Sequence, residues 1–453
     1  MTTPGPAAYA AEEIEAAERP LLDRGATDAL MKRAAFGLAV AVRRAMRRHG
    51  LARDAGILLL VGAGNNGGDA LYAGAVLAGW GRAVTAVLTA GRAHHRALRA
   101  AQRAGVRCHD GADATELAAA PVWVDGLSGI GVRPGPRPEL AAVISRWEER
   151  RAAQLPLVIA VDVPSGIGVD TGELPGPVLR ADHTVTMGGL KPGLLMPPAA
   201  LAAGEVDVVD LGLDLRGAAP VARRIDARAV ARLIPRAQAH DHKYTRGVLG
   251  LLTGSRHYPG AAVLSAAGAL ATGIGMVRYE GPREAADLVL RAHPEVVLGA
   301  GRCQAWAMGS GVDPADEARA AEIRTAAATA QAEGTPLVLD AGAIQLAPAA
   351  MSPTTVLTPH AGELAALLSA RGEPRSGEQV AARPADALRA AVRLTGATVL
   401  LKGAITLVCG PGTEIYAAGQ ATPWLASAGT GDVLTGVVGA LLAGHRDRPV
   451  TPS

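Results

Sequence analysis

The fold is decided by one stretch, Ile57-Leu58-Leu59-Leu60-Val61-Gly62-Ala63-Gly64-Asn65-Asn66-Gly67-Gly68-Asp69. Five apolar residues that end at a glycine are typical of a parallel β-strand covered on both faces. The glycines that follow let a phosphate approach the backbone N–H groups. Asn65–Asp69 supplies five polar, turn-forming residues, which is more than a plain turn requires. We therefore predict a buried strand that ends in a ligand-binding loop.

Strand-like and helix-like segments alternate on both sides of this stretch, which predicts a doubly wound α/β sheet. Before it, residues 7–50 carry apolar residues at helical spacing. After it, segments rich in Ala, Arg and Glu separate further apolar runs. The strands predicted for this half are Ile57–Val61, Val84–Leu88, Val122–Val124, Leu157–Val161, Thr184–Met187 and Val206–Val209.

A second α/β series begins after a break in this pattern. Residues 213–220 have the composition of a linker, and the arginine-rich stretch up to His240 shows no strand. We therefore predict two domains, 1–216 and 217–453, each long enough for its own core. The strands predicted for the second half are Val248–Leu252, Met276–Tyr279, Ala305–Met308, Leu337–Leu339, Val356–Leu357, Val399–Leu401 and Ile405–Val408.

Composition and charge argue against several classes of protein. Aromatic residues make up only 3% of 453 residues and the formal net charge is +3, which disfavours a nucleic-acid partner. Cys108, Cys303 and Cys409 lack the spacing of a zinc site or a disulfide framework, which fits a reducing cytoplasm. The start of the chain lacks a signal-peptide pattern, and the uncharged run Ala261–Val277 predicts a buried helix and the start of a strand. We expect a cytoplasmic protein without a membrane partner.

Polar side chains follow the predicted strands of the first half at points that should converge. They are Asn66, Asp125, Asp162 and Ser165. Loops at the carboxyl ends of parallel strands meet in one crevice of an open α/β sheet, so we expect these side chains to face one another. Their amide, carboxylate and hydroxyl oxygens suit a monovalent or weakly held cation. Taken singly, each aspartate is also explained as a cap of the loop that it starts.

The second half carries the residues of a phosphoryl-transfer site. Gly429–Gly431 precedes a helix-compatible run, so its N–H groups suit a phosphate. Asp432 at the same turn can take a proton from an attacking hydroxyl. Taken singly, Lys402 is also explained as a solvated cation at a strand end, and His360 as a hydrogen-bonding loop residue. The pattern G-x-x-x-x-G-K-[ST] is absent, which excludes a P-loop.

Four motifs of the first half resemble those of the NAD(P)H-hydrate epimerase family. They are Gly-x-Gly-Asn-Asn-Gly-Gly-Asp, Val-Asp-x-Leu-x-Gly-x-Gly, Asp-x-Pro-Ser-Gly, and Thr-Val-Thr followed by Lys-Pro-Gly. The resemblance implies a Rossmann-like fold and epimerisation at the hydrated carbon of damaged NADH or NADPH. It also implies potassium held by Asn66, Asp125 and Ser165, with Asp162 as the catalytic residue at the reacting ring. The residues implied to hold the hydrate are Asn65, Asn66, Gly67, Gly68 and Asp69, together with Gly129, Ile130, Gly131, Val132, Arg133, Pro134 and Gly135.

The second half resembles the ADP/ATP-dependent NAD(P)H-hydrate dehydratase family, a branch of the ribokinase-like fold. The resemblance rests on Tyr258–Ala262, Met308–Gly311, Thr358–Glu363, Lys402–Thr406 and Gly429–Asp432. It implies that the hydroxyl of the hydrated ring is phosphorylated, with Asp432 as the base and magnesium beside ADP, and that phosphate then leaves. The residues implied to contact the hydrate are Ala261, Gly311, His360 and Asp432. Those implied to contact the nucleotide are Lys402, Gly403, Ala404, Ile405, Thr406, Gly429, Thr430 and Gly431.

Both resemblances together predict a repair enzyme for hydrated nicotinamide cofactors. Such an enzyme epimerises R- and S-NAD(P)HX and dehydrates the S form to NAD(P)H, while ADP becomes AMP and phosphate. The resemblance also suggests a homo-oligomer. One alternative is a ribokinase-type small-molecule kinase with a non-catalytic, nucleotide-sensing N-terminal domain. The other is an N-terminal half that acts only as a binding or assembly module.

Two positions depart from the family patterns. Ala70 stands where the epimerase family continues with glycine, and we expect its methyl group to narrow the loop without abolishing the site. Gly342 stands where many dehydratase relatives carry a second acidic residue, so a supporting role for that position is not expected here.

Overall fold

The computed structural model describes residues 5–23, 27–111, 117, 119–131, 135–234 and 236–445. The chain forms two compact units, and the first of them is Pro6–Ala222. The second unit starts at Arg223, a few residues after the boundary predicted near residue 216. No helix within these described ranges is long and apolar enough to cross a membrane.

The first unit alternates strands and helices. In chain order they are β1 (Ala7–Ala8), α1 (Ala11–Leu21), α2 (Thr27–Arg48), β2 (Ile57–Val61), α3 (Asn65–Gly79), β3 (Val84–Leu88), α4 (His95–Arg103), β4 (Arg107–Asp110), β5 (Val122–Gly126), α5 (Pro138–Gln154), β6 (Leu157–Val161), β7 (His183–Met187), the short 3₁₀ helices Pro192–Leu194 and Ala199–Ala202, and β8 (Glu205–Val209).

A parallel sheet covered on both faces organises the first unit. Its strand order is β4-β3-β2-β5-β6-β7-β8, and all neighbours run parallel. Every residue of β2 is buried, with Leu59 in the core that contains α2 and α3, and Leu58 in the opposite core with Trp123 and Trp147. The chain builds outward from β2 to β4 and then returns to place β5 on the other side of β2. This reversal of strand order opens a crevice at the carboxyl ends of β2 and β5.

The second unit repeats the alternation with a mixed sheet. Its elements are β9 (Ala222–Arg224, at the boundary), α6 (Ala227–Leu233), β10 (Val248–Leu252), α7 (Gly260–Ala271), β11 (Met276–Tyr279), α8 (Arg283–Ala292), β12 (Val297–Leu298), β13 (Ala305–Met308), α9 (Glu317–Ala332), β14 (Leu337–Leu339), α10 (Gly342–Gln345), β15 (Thr355–Leu357), α11 (Ala361–Ala370), α12 (Gly377–Ala382), α13 (Pro384–Thr395), β16 (Thr398–Leu401), β17 (Leu407–Cys409), β18 (Ile415–Ala417), the 3₁₀ helix Pro423–Leu425, and α14 (Thr430–His445).

In this second sheet, strands follow the order β18-β17-β16-β15-β14-β13-β10-β11-β12. The pairs from β16 to β12 are parallel, and those among β16, β17 and β18 are antiparallel. Strand order reverses at β10, which lies between β11 and β13. The core of the second unit contains many alanines, among them Ala266 of α7 and Ala440 of α14. These small side chains explain how a chain poor in aromatic residues packs densely.

The predicted α/β class is confirmed, and the run Ala261–Val277 forms most of α7 and the start of β11. Two local predictions are wrong. β9 forms where no strand was predicted, because the Ile225 N–H donates to the carbonyl oxygen of Ala417 (2.8 Å) and Arg223 pairs with Glu414. Asn65–Asp69 is the first turn of α3 rather than a loop, because Gly67 packs so closely that a Cβ there would lie 2.1 Å from the carbonyl oxygen of Gly62.

Candidate functional sites

A cavity of about 760 Å³ lies at the crevice of the first sheet. The turn after β2 and the start of α3 form one wall, the segment after β5 forms another, and α1 contributes Glu15 and Glu18. A pocket of this volume accommodates a ligand the size of a nucleotide. Another cavity of about 610 Å³, lined by Pro121, Leu155 and Asp182, lies where β5 and β6 begin and contains none of the predicted site residues.

Three predicted cation ligands meet beside this cavity. The buried Asp125 carboxylate accepts hydrogen bonds from the Ser165 hydroxyl (2.7 Å) and the Ser165 N–H (2.8 Å). The Asn66 amide donates to the carbonyl oxygens of Ser128 (3.0 Å) and Val161 (2.6 Å). Burial raises the pKa of Asp125 to about 6, although the hydrogen bonds from Ser165 oppose this shift. A buried carboxylate with hydroxyl and amide neighbours has the donor chemistry that potassium prefers, so these residues fit that ion.

Asp162 forms a buried ion pair with Lys191, which lies after β7. The same carboxylate oxygen accepts from the Thr186 hydroxyl (3.0 Å) and the Met187 N–H (2.9 Å). Asp162 has a left-handed backbone (φ 66°) at the centre of a tight turn in which the Val163 N–H donates to the Val161 carbonyl oxygen (2.8 Å). Such strained turns persist where the surroundings impose them, often at functional sites.

Asp69 lies on the buried side of α3 and is only 8% exposed. Burial raises the pKa of Asp69 well above its ordinary value, and the charges of Asp162 and Glu18 add to this effect while Lys191 opposes it. Burial likewise raises the pKa of Glu18. The cavity wall therefore adjoins a cluster of three carboxyl groups with one lysine.

In the second unit, Asp340 joins the ends of several strands. One oxygen of this buried carboxylate accepts from the Thr358 hydroxyl (2.8 Å) and from Lys402 Nζ (2.9 Å), and the other accepts from the Ser310 hydroxyl (2.8 Å). Asp432 lies in the first turn of α14. Burial raises the pKa of Asp432, the charge of Asp340 raises it further, and the Ser310 hydrogen bond and the charge of Lys402 lower it. This is the environment of a general base held next to a cation.

His360 caps α11. Its Nδ1 accepts from the N–H groups of Gly362 (3.0 Å) and Glu363 (3.3 Å), while the Glu363 carboxylate accepts from the His360 N–H (2.8 Å). Glu363 also lies 3.6 Å from Lys402, so His360 adjoins the Lys402–Asp340 group. Its ring is 60% exposed, and its Nδ1 is used as a helix cap.

Several small residues predicted for the second site lie close to other residues of that site. Gly311 has φ 69°, and a Cβ there would lie 2.5 Å from that of Ala261. Gly429 has φ 89°, which permits the turn before α14, and a Cβ on Gly431 would lie 3.6 Å from Lys402 Nζ. Gly403 and Ala404 are exposed after β16, whereas Ile405 is buried, so Ile405 presents only its backbone to a ligand. Thr430 donates its hydroxyl hydrogen to the Ser427 carbonyl oxygen (3.0 Å).

Six of the residues predicted for the first site line the cavity. Asn65, Asn66 and Gly67 line it, as does the segment Gly129–Gly131. Gly68 instead packs against His94, and a Cβ on Gly135 would contact Pro175. The predicted ligands Val132, Arg133 and Pro134 fall outside the described residues.

Comparison with known proteins covers both units. The family model described as "YjeF-related protein N-terminus" matches residues 27–193, and the model described as "NAD(P)H-hydrate dehydratase" matches residues 249–451. The chain is 42% identical to the bifunctional NAD(P)H-hydrate repair enzyme of Mycobacterium tuberculosis, over 96% of this chain and 89% of that one. The chain belongs to this family.

Two further relatives match single halves of this bifunctional repair-enzyme chain. The NAD(P)H-hydrate epimerase of Clavibacter sepedonicus is 48% identical over 48% of this chain and 94% of its own length. The solved structure of the ADP/ATP-dependent NAD(P)H-hydrate dehydratase of Bacillus subtilis, co-crystallised with ATP and Mg²⁺, is 25% identical over 48% of this chain and 83% of that chain, with a TM-score of 0.40.

Sequence reasoning did not identify four side chains that lie at or beside the two candidate sites. They are Glu18, Lys191, Asp340 and Ser310. Lys191 and Ser310 belong to motifs that are visible in the sequence, Lys-Pro-Gly and Met-Gly-Ser-Gly. The sequence does not show which side chains these two residues contact. Asp340 follows a predicted strand, which was an available signal. Glu18 stands in an ordinary helical pattern, and only the placement of α1 shows its position at the cavity.

Both expected departures have a structural explanation. Ala70 lies inside α3, and a Cβ on Gly126 of β5 would lie 2.9 Å from its methyl group. The expectation that Ala70 narrows the loop is therefore wrong, because the methyl group belongs to helix–strand packing. A Cβ on Gly342 would lie 2.3 Å from the Val312 carbonyl oxygen, so a side chain does not fit there in this backbone conformation.

Proposed function

We propose that this protein repairs hydrated nicotinamide cofactors. The first unit interconverts R- and S-NAD(P)HX, and the second dehydrates the S form with ADP, which gives AMP, phosphate and NAD(P)H. The observation that carries the proposal is membership of the bifunctional family along 96% of the chain. In both units the sequence motifs converge on one edge of a sheet, where buried carboxylates lie beside a lysine.

In the first unit, the hydrate lies in the cavity of about 760 Å³ against Asn65–Gly67 and Gly129–Gly131. Asp162, fixed by Lys191 and Thr186, is the catalytic group at the reacting ring. Asn66, Asp125 and Ser165 would hold potassium, which would supply a positive charge to an anionic substrate. Asn66 also ties the start of α3 to the end of β6, because its amide donates to the Val161 carbonyl oxygen.

In the second unit, Asp432 removes the proton of the substrate hydroxyl as its oxygen attacks the terminal phosphoryl group of ADP. A C–O–P bond forms and AMP leaves. The phosphate then departs with the C–O electrons, a proton leaves the neighbouring ring carbon, and the dihydropyridine is restored. Lys402 and the N–H groups of Gly429–Gly431 stabilise phosphate charge, and magnesium accompanies the nucleotide. The raised pKa of Asp432 supports its role as base, because a more basic carboxylate accepts a proton more readily.

The first test is recovery of NADH absorbance from a mixture of both NADHX epimers, with purified protein, magnesium and either ADP or ATP. We expect full recovery by the wild type. Under conditions where spontaneous epimerisation is slow, we expect Asp162→Ala to stop near the S-epimer fraction and Asp432→Ala to recover almost nothing. A stable phosphorylated product from a small alcohol, with no recovery of NADH, favours a ribokinase-type kinase and contradicts the proposal.

A further inference from the structure

Asp340 has no role of its own in the chemistry proposed above, although it lies at the end of β14 and is only 2% exposed. Its backbone is fixed on both sides. Its N–H donates to the Met308 carbonyl oxygen (3.0 Å), and its carbonyl oxygen accepts from the Ala343 N–H (3.0 Å). A Cβ on Gly309 would lie 2.1 Å from the same carbonyl oxygen, so the neighbouring strand packs tightly against it. A carboxylate on such a rigid backbone can fix the position of more flexible side chains.

One carboxylate oxygen of Asp340 holds Lys402. Oδ1 accepts hydrogen bonds from Lys402 Nζ (2.9 Å) and from the hydroxyl of the buried Thr358 (2.8 Å). Because a lysine side chain is long and flexible, this carboxylate determines where the ammonium group lies. The Lys402 side chain is 22% exposed and its ammonium group has further N–H groups, so it can still bind a ligand.

The other carboxylate oxygen of Asp340 is linked to the first turn of α14. Oδ2 accepts from the Ser310 hydroxyl (2.8 Å), and the Ser310 hydroxyl oxygen also lies 3.2 Å from the Thr435 hydroxyl oxygen. Thr435 donates to the Gly431 carbonyl oxygen (3.0 Å). Ser310 and Thr435 are fully buried. Asp340 is therefore connected, through two hydroxyl groups, to the residue that precedes Asp432.

The two connections end beside each other. A Cβ on Gly431 would lie 3.6 Å from Lys402 Nζ, so the ammonium group stands next to the start of α14. The N-terminal end of a helix is partially positive, so a cation there is unfavourable unless an anion lies nearby. The Asp340 carboxylate offsets part of this repulsion, and a phosphoryl group that contacts both the ammonium and the helix amides would offset the rest. An apolar residue in place of Asp340 would avoid the cost of a buried charge but would not hold the cation there.

We propose that Asp340 is a positioning residue for phosphoryl transfer, which holds the Lys402 ammonium and the first turn of α14 against the same phosphoryl group. Lys402 is held directly, and the turn is held through Ser310 and Thr435. Asp340 acts through these residues and touches neither the nucleotide nor the hydrate. This inference rests on the proposed dehydratase function and adds to it the residue that keeps the phosphate-binding groups together.

The test is a double-mutant cycle between Asp340→Asn and Lys402→Met in the full-length protein. The measured rate is the formation of NADH from purified S-NADHX with saturating ADP and magnesium. Asparagine retains the shape and hydrogen-bonding capacity of the side chain but removes the charge that holds the ammonium group. We expect Asp340→Asn to lower kcat by about 10–10³-fold, while the KM for S-NADHX changes by less than about threefold.

The cycle reports whether Asp340 acts through Lys402. In the Lys402→Met protein the ammonium group is already absent, so adding Asp340→Asn should lower kcat by less than about threefold. A purely structural defect would instead lower kcat by the same factor with and without Lys402.

Further variants serve as controls and as a second test. Asp386→Asn removes an exposed carboxylate from the first turn of α13 and should match the wild type. Urea unfolding of each variant shows whether the second unit still folds. If Asp340→Asn does not fold, or Lys402→Met is too slow to measure, Thr435→Val and Thr435→Ser decide the question. Valine removes the hydroxyl that holds the turn and should lower kcat by about tenfold, whereas serine keeps the hydroxyl and should stay within about twofold of the wild type.

The positioning role is overturned if Asp340→Asn keeps kcat within about twofold of the wild type, changes mainly KM, or costs the same factor with and without Lys402. Equal kcat values for Thr435→Val and Thr435→Ser also overturn it. A wild type that forms no NADH from S-NADHX with either ADP or ATP overturns the proposed dehydratase function, and the positioning role with it.

Discussion

Asp432 experiences two opposing influences on its ionisation. Burial and the charge of Asp340 raise its pKa, while the Ser310 hydroxyl and Lys402 lower it. The group must be ionised to accept the substrate proton, so the dehydratase rate should fall as the pH drops through this pKa. We therefore expect Ser310 to influence how far into the acid range the dehydratase works.

We predict that Ser310→Ala moves the acid limb of the dehydratase kcat profile to higher pH. The substitution removes a hydrogen bond that favours the carboxylate, which raises the pKa of Asp432 further. The measurement is kcat against pH with saturating S-NADHX and ADP. Ser369→Ala, on the exposed side of α11, is the matched control and should leave the limb in place. A shift to lower pH would contradict this assignment.

The Asp125 carboxylate is fully buried and hydrogen-bonded to Ser165. We expect potassium to raise the thermal unfolding temperature of the first unit relative to tetramethylammonium. The expected gain is about 2.7 kcal/mol when the ion is present at a hundred times its Kd. Asp125→Asn should abolish this response, and Asp110→Asn, on the exposed strand β4, should retain it. Equal stabilisation of Asp125→Asn by potassium would show that the ion binds elsewhere.

At the scale of elements, the contact between α7 and α14 depends on glycine. A Cβ on Gly436 would lie 2.0 Å from the Ser265 carbonyl oxygen, and one on Gly268 would lie 2.3 Å from that of Val433. The two helix backbones therefore touch. Because Asp432 stands in the first turn of α14, this packing also sets the position of the proposed base.

We predict that Gly436→Ala destabilises the second unit by about 1–3 kcal/mol, because the methyl group forces the helices apart. Gly260→Ala in α7 is the control, since a Cβ there has no atom within 4 Å. Urea unfolding followed by loss of dehydratase activity reports the second unit by itself. A Gly436→Ala midpoint equal to that of Gly260→Ala would mean that the helices separate without a measurable penalty.

At the scale of the whole molecule, each compact unit contains its own sheet, core and polar site. One relative, which is 48% identical, matches only the first half of this chain, over 94% of its own length. That relative is an epimerase on a chain of its own. We therefore expect that the two sites of this chain also work when they are on separate molecules.

We predict that a mixture of the Asp162→Ala and Asp432→Ala proteins restores full NADH recovery from mixed epimers, although neither recovers it alone. Each variant retains one intact site, and the hydrate diffuses between molecules. The double variant added to either single variant is the control and should not complement it. An R fraction that stays unconverted in the mixture would show that the two sites act only within one chain.

Local sequence patterns were enough to predict most of the local structure and the kind of chemistry. The all-apolar run Ile57–Val61 favours a buried strand, and Gly429 permits the turn before α14 because glycine adopts a left-handed backbone at low cost. These properties depend on neighbours in the chain. They were sufficient for the α/β class.

The pairing of charged side chains could not be predicted from the sequence, because it depends on the tertiary structure. Asp162 meets Lys191 because β6 and β7 are adjacent, and Lys402 meets Asp340 because β14, β15 and β16 lie side by side. Glu18 lies at the cavity only through the placement of α1 against the crevice. The energy of such pairs depends on distance and burial, which periodicity and local turn preferences do not determine.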